Sequence, residues 1–180
     1  MDVTEAIRLK RAVRDFAPVP LPNDVVQRIL WAGRRAQSSR NSQPWRFIAI
    51  RDRKTLKDLP RLGEYAGHLA GAALGVIIVT PDPAERWGIL FDAGQAAAYM
   101  QLAAWELGIA SCIATIHETE AARALLGFPN EWHLRAALSF GYPADSAVLA
   151  AAPRAGGRRP PDEMFHHERW VTDPQGGETQ

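Results

Sequence analysis

The chain has 180 residues, enough for one ordinary domain, and its 47% apolar and 23% charged residues exclude a disordered or collagen-like polymer. Folding at this length buries roughly 70% of the unfolded chain's surface, so a core needs no disulfides; the single cysteine, Cys112, excludes an internal disulfide and any Cys-based zinc site. The net charge is only +1, yet residues 1–61 carry 14 Lys/Arg against 6 Asp/Glu while residues 62–150 carry 3 against 9, a polarity that points to a local anionic ligand, either nucleic acid or a phosphate-bearing small molecule.

In chain order, Asp2-x-x-Glu5 ahead of Ala6 and Ile7 has the form of a capping box and predicts a first helix. Pro18, Pro20 and Pro22 enforce an extended connection. Asn23 or Asp24 is placed to cap a second helix with Val25, Val26, Ile29 and Leu30 on its apolar face, fraying near Gly33. Residues 37–44 are a polar loop, and residues 45–51, with aromatic and β-branched residues near alternation, predict a strand. Gly63, Gly67, Gly71 and Gly75 recur at every fourth position and disfavour a helix, so this stretch is expected to be a mobile loop.

The run LGVIIVT (74–80) predicts a buried strand ended by Pro81 and Pro83. Residues 87–107 predict one long helix closed by Gly108; its Asp92, Gln95 and Gln101 argue against a membrane span. Strands follow at 109–115 and 134–140, with a helix at 118–126 between them. The alternation predicts one domain, 1–150, in which helices pack a sheet. Residues 151–180 are too polar and Pro-rich for a core of their own and form an arm that either dangles or wraps a partner chain. The charged first ten residues do not resemble a signal peptide, so the expected location is the cytoplasm.

Three segments concentrate polar chemistry. Lys10-Arg11-Ala12-Val13-Arg14 groups three cations in five residues; arginine forks bind phosphate bidentately, although such a cluster alone also reads as a solvated basic surface. Residues 37–45 (QSSRNSQPW) gather hydroxyls and carboxamides able to meet the edge of a planar heterocycle, or simply to make a turn. Gly156-Gly157-Arg158-Arg159-Pro160-Pro161 holds two arginines between Gly and Pro. His166-His167 point apart on any regular backbone, and His117 with Glu118 and Glu120 lacks metal-loop spacing, so no metal site is expected. G-x-G-x-x-G, P-loop and Gly-x-Ser-x-Gly motifs are all missing from the chain.

Together and in order, KRAVRDF (10–16), SSRNSQPWRF (38–47), GQAAAYMQLAAWELGIASCIAT (94–115), LSFGYP (138–143) and GGRRPPDEMFHHERW (156–170) resemble the FMN-dependent nitroreductase family over nearly the whole chain. The resemblance implies an α+β fold with a central, mostly antiparallel sheet flanked by helices, a homodimer with the C-terminal arm wrapped round the partner subunit, and FMN bound at the dimer interface. It implies hydride transfer from NAD(P)H to a nitroaromatic, quinone or similar small acceptor by a ping-pong route, carried by the flavin with no catalytic side chain. By the same resemblance Lys10, Arg11, Ala12 and Arg14 fall on the phosphate and ribityl segment. Ser38 and Ser39 reach the flavin from the other subunit, Asn41 and Gln43 match polar positions near the ring, Thr115 and Ile116 lie on the loop beside it, and Arg158 and Arg159 meet the phosphate. Arg40 or a backbone N–H is left to stabilise the reduced ring near N1 and O2. The chain departs from the pattern in Lys10 and Ala12, in Thr115-Ile116-His117 where some relatives have a glutamate–glycine pair, and in the short 81–86 connection. The alternatives are another flavoenzyme of this fold (dehalogenase, azoline oxidase or flavin-consuming), a non-enzymatic FMN-binding module, and a nucleic-acid binder. The acidic middle and the lack of aromatics within residues 8–14 count against the last.

Overall fold

The computed structural model of the chain describes residues 1–84, 86–152 and 157–170. Four strands, β1 (Arg46–Ile50), β2 (Leu74–Thr80), β3 (Ala110–Ala114) and β4 (His133–Gly141), form one sheet in the order β1-β2-β4-β3, with every neighbouring pair antiparallel. Helices α1 (Val3–Leu9), α2 (Asn23–Arg34), α3 (Arg53–Asp58), α4 (Gly88–Glu106), α5 (Thr119–Leu126) and α6 (Pro161–Met164) surround it. No helix among the described residues is long and apolar enough to cross a membrane.

The sheet is covered on both faces, which is why β2 reads as an unbroken apolar run and is buried at all of its positions. Strand alternation divides the core in two. Val76, Ile78, Leu138 and Phe140 point to one side, where α2 and α4 supply Ile29, Ala96 and Met100. Ile77, Val79 and Ala137 point to the other and meet Leu56, Leu59 and Leu69. A fully buried side chain of this kind contributes about 1.5–3 kcal/mol. Helix α2 lies close on α4 because Gly33 has no side chain: a Cβ there would stand 2.8 Å from Met100 Cγ. Gly108, at φ 72°, ends α4 in the left-handed conformation and turns the chain into β3.

Two local expectations give way. Neither Asn23 nor Asp24 caps α2; Pro22, at ψ 151°, is the flanking residue, and both polar residues lie inside the first turn. The Asn23 side chain instead accepts a hydrogen bond from Arg51. The glycine-rich stretch is not a loose loop either. Its 3-10 turns at Leu59–Leu62 and Ala66–Gly71 bury Leu59, Ala66 and Leu69 completely, and Gly75 lies within β2. The absence of a side chain at Gly63 permits this packing, because a Cβ there would lie 2.4 Å from the carbonyl oxygen of Thr115. Leu62 O then accepts from the N–H groups of His117 and Glu118 at 2.8 and 3.1 Å, pinning the chain that leaves β3.

One apolar surface has no cover within the described residues. Trp87, Leu90, Phe91 and Tyr99 stand exposed along α4, with Trp31 of α2 exposed as well. In the arm, Met164, Phe165 and Trp170 are also exposed. Residues 153–156 and 171–180, including Gly156 of the glycine–arginine motif, lie outside the described residues.

Candidate functional site

The N-terminal basic segment runs along the outer edge of β3. Ala12 bridges Ser111 in parallel, and Val13 N–H donates to Ser111 O at 3.0 Å. Its three cations are used differently. Lys10, half-buried, donates from Nζ to Gln101 Oε1 of α4 at 3.1 Å; burial pulls its pKa below the ordinary lysine value, with the Cys112 thiol acting in the opposite direction. Arg11 is engaged by carbonyls: Nε donates to Leu9 O at 3.1 Å and the guanidinium to Ala151 and Ala152. Arg14 is exposed and makes no hydrogen bond or ion pair among the described residues.

At the far end of β3, Thr115 is exposed and Ile116 is buried in the second half-core. Only the backbone of Ile116 is therefore available to a ligand. Ile113 is 47% exposed in the middle of an otherwise buried strand, leaving a bare apolar patch between Arg14's segment and Thr115.

The serine–asparagine loop forms a second, separate cluster. Residues Ser39–Asn41 make a 3-10 turn, and Arg40, Asn41 and Gln43 have φ of 55°, 53° and 46°. Non-glycine residues held there cost of order 1–3 kcal/mol each and persist only where the surroundings over-determine them. Those surroundings are visible. Both oxygens of buried Asp92, on α4, accept from Ser39 N–H at 3.3 Å. Ser38 Oγ accepts from Gln43 N–H at 2.9 Å, and Gln43 Nε2 donates to Asn41 Oδ1 at 3.2 Å. The side chains of Ser39, Asn41 and Gln43 are left on the surface. Gln43 borders two clefts, of about 500 and 390 Å³, one reaching Trp31 and Arg34, the other Arg86 and Trp132.

The two clusters are anchored at separate points of α4. The first is tied to α4 at Gln101 and the second at Asp92. Nine residues of helix separate those anchors, about 13.5 Å along the axis at 1.5 Å per residue. Arg158 and Arg159 are exposed; Arg158 donates to Gly157 O at 3.0 Å, and neither residue bonds to the other clusters among the described residues.

Two residues that sequence reasoning did not single out as site candidates stand beside these clusters. Asp92 is legible only as an acid inside an apolar helix. His68, in the turn Ala66–Gly71, is 7% exposed and places Nδ1 2.7 Å from Ser139 Oγ of β4. Its Nε2 is buried without a partner among the described residues. Burial, and secondly the charge of Arg14, lower its pKa below the ordinary histidine value. A lone histidine among glycines gives no sequence signal of such a setting.

Comparison with known proteins identifies the family. The family model described as "Nitroreductase family" matches residues 7–70 and 61–142. A protein of Archaeoglobus fulgidus named "Putative NADH dehydrogenase/NAD(P)H nitroreductase" is 30% identical over 173 residues, covering 91% of this chain and 96% of its own length. The solved structure of an FMN-dependent nitroreductase from Clostridium difficile superposes with a TM-score of 0.82 at 23% identity, covering 93% of this chain and 100% of that one. The structure of Bacillus megaterium NfrA2 also gives a TM-score of 0.82, at 22% identity, over 97% of this chain and 78% of that one. The chain thus belongs to the nitroreductase family.

Proposed function

We propose that the protein is an FMN-dependent oxidoreductase that works as a homodimer and passes hydride from NAD(P)H to a nitroaromatic, quinone or similar small acceptor. The observation that carries this reading is the pair of polar clusters whose anchors lie about 13.5 Å apart along α4, with that helix's exposed apolar face uncovered by the described residues. A second copy seated on that face would cover Trp87, Leu90 and Phe91 and bring its serine–asparagine loop towards the basic segment of its partner. The relatives are named as NAD(P)H nitroreductases and one neighbour as FMN-dependent, which supports the choice of cofactor and reductant.

The residues present fit FMN. Among the described residues, Arg14 offers a guanidinium with no hydrogen bond or ion pair and Ile113 a bare apolar patch on the α2/α4 face of β3, while His68 Nε2, on the opposite face of the sheet, is a buried polar atom without a partner. Bound FMN supplies two-electron transfer between NAD(P)H and acceptor in alternating half-reactions. The chain's own residues bind and orient. Arg14 would hold a fixed positive charge where negative charge develops. The strained turn would present Ser39, Asn41 and Gln43 without further reorganisation. The Thr115 and Ile116 backbone would border the ring, and Arg158 and Arg159 of the arm would meet the phosphate.

The test is steady-state oxidation of NADH or NADPH by the purified protein with a quinone as acceptor. Sustained turnover with parallel initial-rate lines is expected from alternating half-reactions. A single stoichiometric oxidation per bound flavin, without turnover, would make the protein a carrier and contradict the proposal.

A further inference from the structure

We propose that Asp92 is a positioning residue of the flavin site: its buried carboxylate holds the N–H of Ser39 and thereby keeps Asn41 and Gln43 in the left-handed conformations in which they meet the flavin ring. The proposal rests on the flavin reading above and deepens it, by assigning the shape of the serine–asparagine loop to a residue that touches no ligand.

Asp92 is out of place by composition. It lies in α4 among Ile89, Ala93 and Ala96, all buried, and is itself only 5% exposed. A carboxylate removed from water is costly unless it is hydrogen-bonded or paired. Among the described residues Asp92 has no ion pair, and its one hydrogen-bond partner is Ser39 N–H, 3.3 Å from both carboxylate oxygens. A leucine of nearly the same shape would fill the position without that cost, so packing alone does not account for the acid.

The turn needs such a hold. Its internal bonds close on themselves: Asn41 N–H donates to Ser38 O at 3.0 Å, Ser42 N–H to Ser39 O at 3.1 Å and Gln43 N–H to Ser38 Oγ at 2.9 Å. Within that ring Arg40, Asn41 and Gln43 stand at φ of 55°, 53° and 46°, which asparagine tolerates and which arginine and glutamine adopt only under constraint. Among the described residues, three side chains outside the turn hydrogen-bond to it. Arg86 donates to Ser42 Oγ at 2.7 Å, Arg46 donates to Gln43 O at 3.4 Å, and Asp92 accepts from Ser39 N–H. Both arginines are exposed, and long side chains lose much rotamer freedom in holding a contact. Asp92 is short, is fixed by the packing of α4, and grips the first N–H of the turn. Removing it leaves that N–H to water, since Ser39 is exposed. The backbone of 40–43 is then free to relax to right-handed or extended conformations, which turn Asn41 and Gln43 away from the ring.

The experiment compares the full-length wild type with Asp92→Leu and Asp92→Asn by FMN titration, thermal unfolding, and limited trypsin digestion of the FMN-free protein with the fragments identified by mass. Arg40 is an exposed trypsin site inside the turn, and its cleavage rate follows the population in which the turn is open. Asp92→Leu is expected to bind FMN about tenfold more weakly and to be cut after Arg40 about tenfold faster, the lower end for loss of a hydrogen bond to a charged group. Its Tm is expected to equal or exceed that of wild type, and cleavage after Arg158 in the arm to be unchanged. Asp92→Asn keeps an oxygen acceptor in a neutral bond of about half the strength, so both quantities are expected to shift only about threefold. Unchanged FMN affinity in Asp92→Leu, or unchanged cleavage after Arg40, would overturn the proposal. So would a lowered Tm with faster cleavage after Arg40 and Arg158 alike, which marks a residue of the fold. If Asp92→Leu does not fold, Asp92→Asn decides: its threefold shifts are expected, and wild-type values in both measurements overturn the assignment. A wild type that takes up no FMN fails at the loading step, which contradicts the flavin reading and this proposal with it; a wild type that loads FMN, with Asp92→Leu loading it equally well, overturns this proposal alone.

Discussion

Arg14→Ala is expected to weaken binding of reduced FMN by about 1.5–3 kcal/mol, the usual worth of a charge-assisted hydrogen bond, or about 10- to 150-fold in Kd. Of the three clustered cations, Lys10 is spent on Gln101 and Arg11 on backbone carbonyls, so among the described residues Arg14 alone retains its full donor set. Oxidised FMN is expected to lose less, since the ring then carries no net charge, and the midpoint potential falls accordingly. Fluorescence titration with oxidised FMN, combined with potentiometry, gives both constants. Equal losses in the two redox states, with riboflavin indifferent to the change, would assign Arg14 to the phosphate.

Mixing two defective variants is expected to restore activity. In the proposed dimer, each flavin site takes Arg14 from one chain and Asn41 from the other. Arg14→Ala and Asn41→Ala are each expected to be poorly active. Refolding an equal mixture gives about half heterodimers, in which one site collects both substitutions and the other neither. About a quarter of all sites are then wild type. Quinone reductase activity should rise to about that fraction of the wild-type value, above either variant refolded alone. Activity no higher than the mean of the two variants, with heterodimers confirmed by a tag, would show that each site is built within one chain. The physical basis is the 13.5 Å or so between the Gln101 and Asp92 anchors on a rigid helix, which no side-chain movement closes.

The sheet was legible in the sequence because burial on both faces writes itself as apolar, β-branched runs; LGVIIVT and the segments at 109–115 and 134–140 all became strands within a residue or so. The long helix and its glycine stop were legible for the same reason. Two things were not. The short α3 carries one buried apolar residue, Leu56, and is held by Asp52 accepting from Thr55 N–H at 2.8 Å, a cap too local to stand out. The glycines at 63–71 read as looseness, whereas the structure uses Gly63 for close approach to the Thr115 backbone. At the site, the polar clusters could be found by composition. The commitment of Lys10 and Arg11, the anchoring of Ser39 by Asp92 and the burial of His68 depend on contacts 50 to 140 residues apart in sequence, and no local pattern records them.

The central claim is that this chain holds FMN. Its most direct measurement is the visible spectrum of the purified protein, followed by chromatography of what heat denaturation releases. Absorption near ~450 nm that bleaches on anaerobic addition of NADH or NADPH, with FMN released at about one per chain, is the predicted result. A colourless protein that fails to acquire that absorption on incubation with FMN, or one that releases FAD instead, would contradict it.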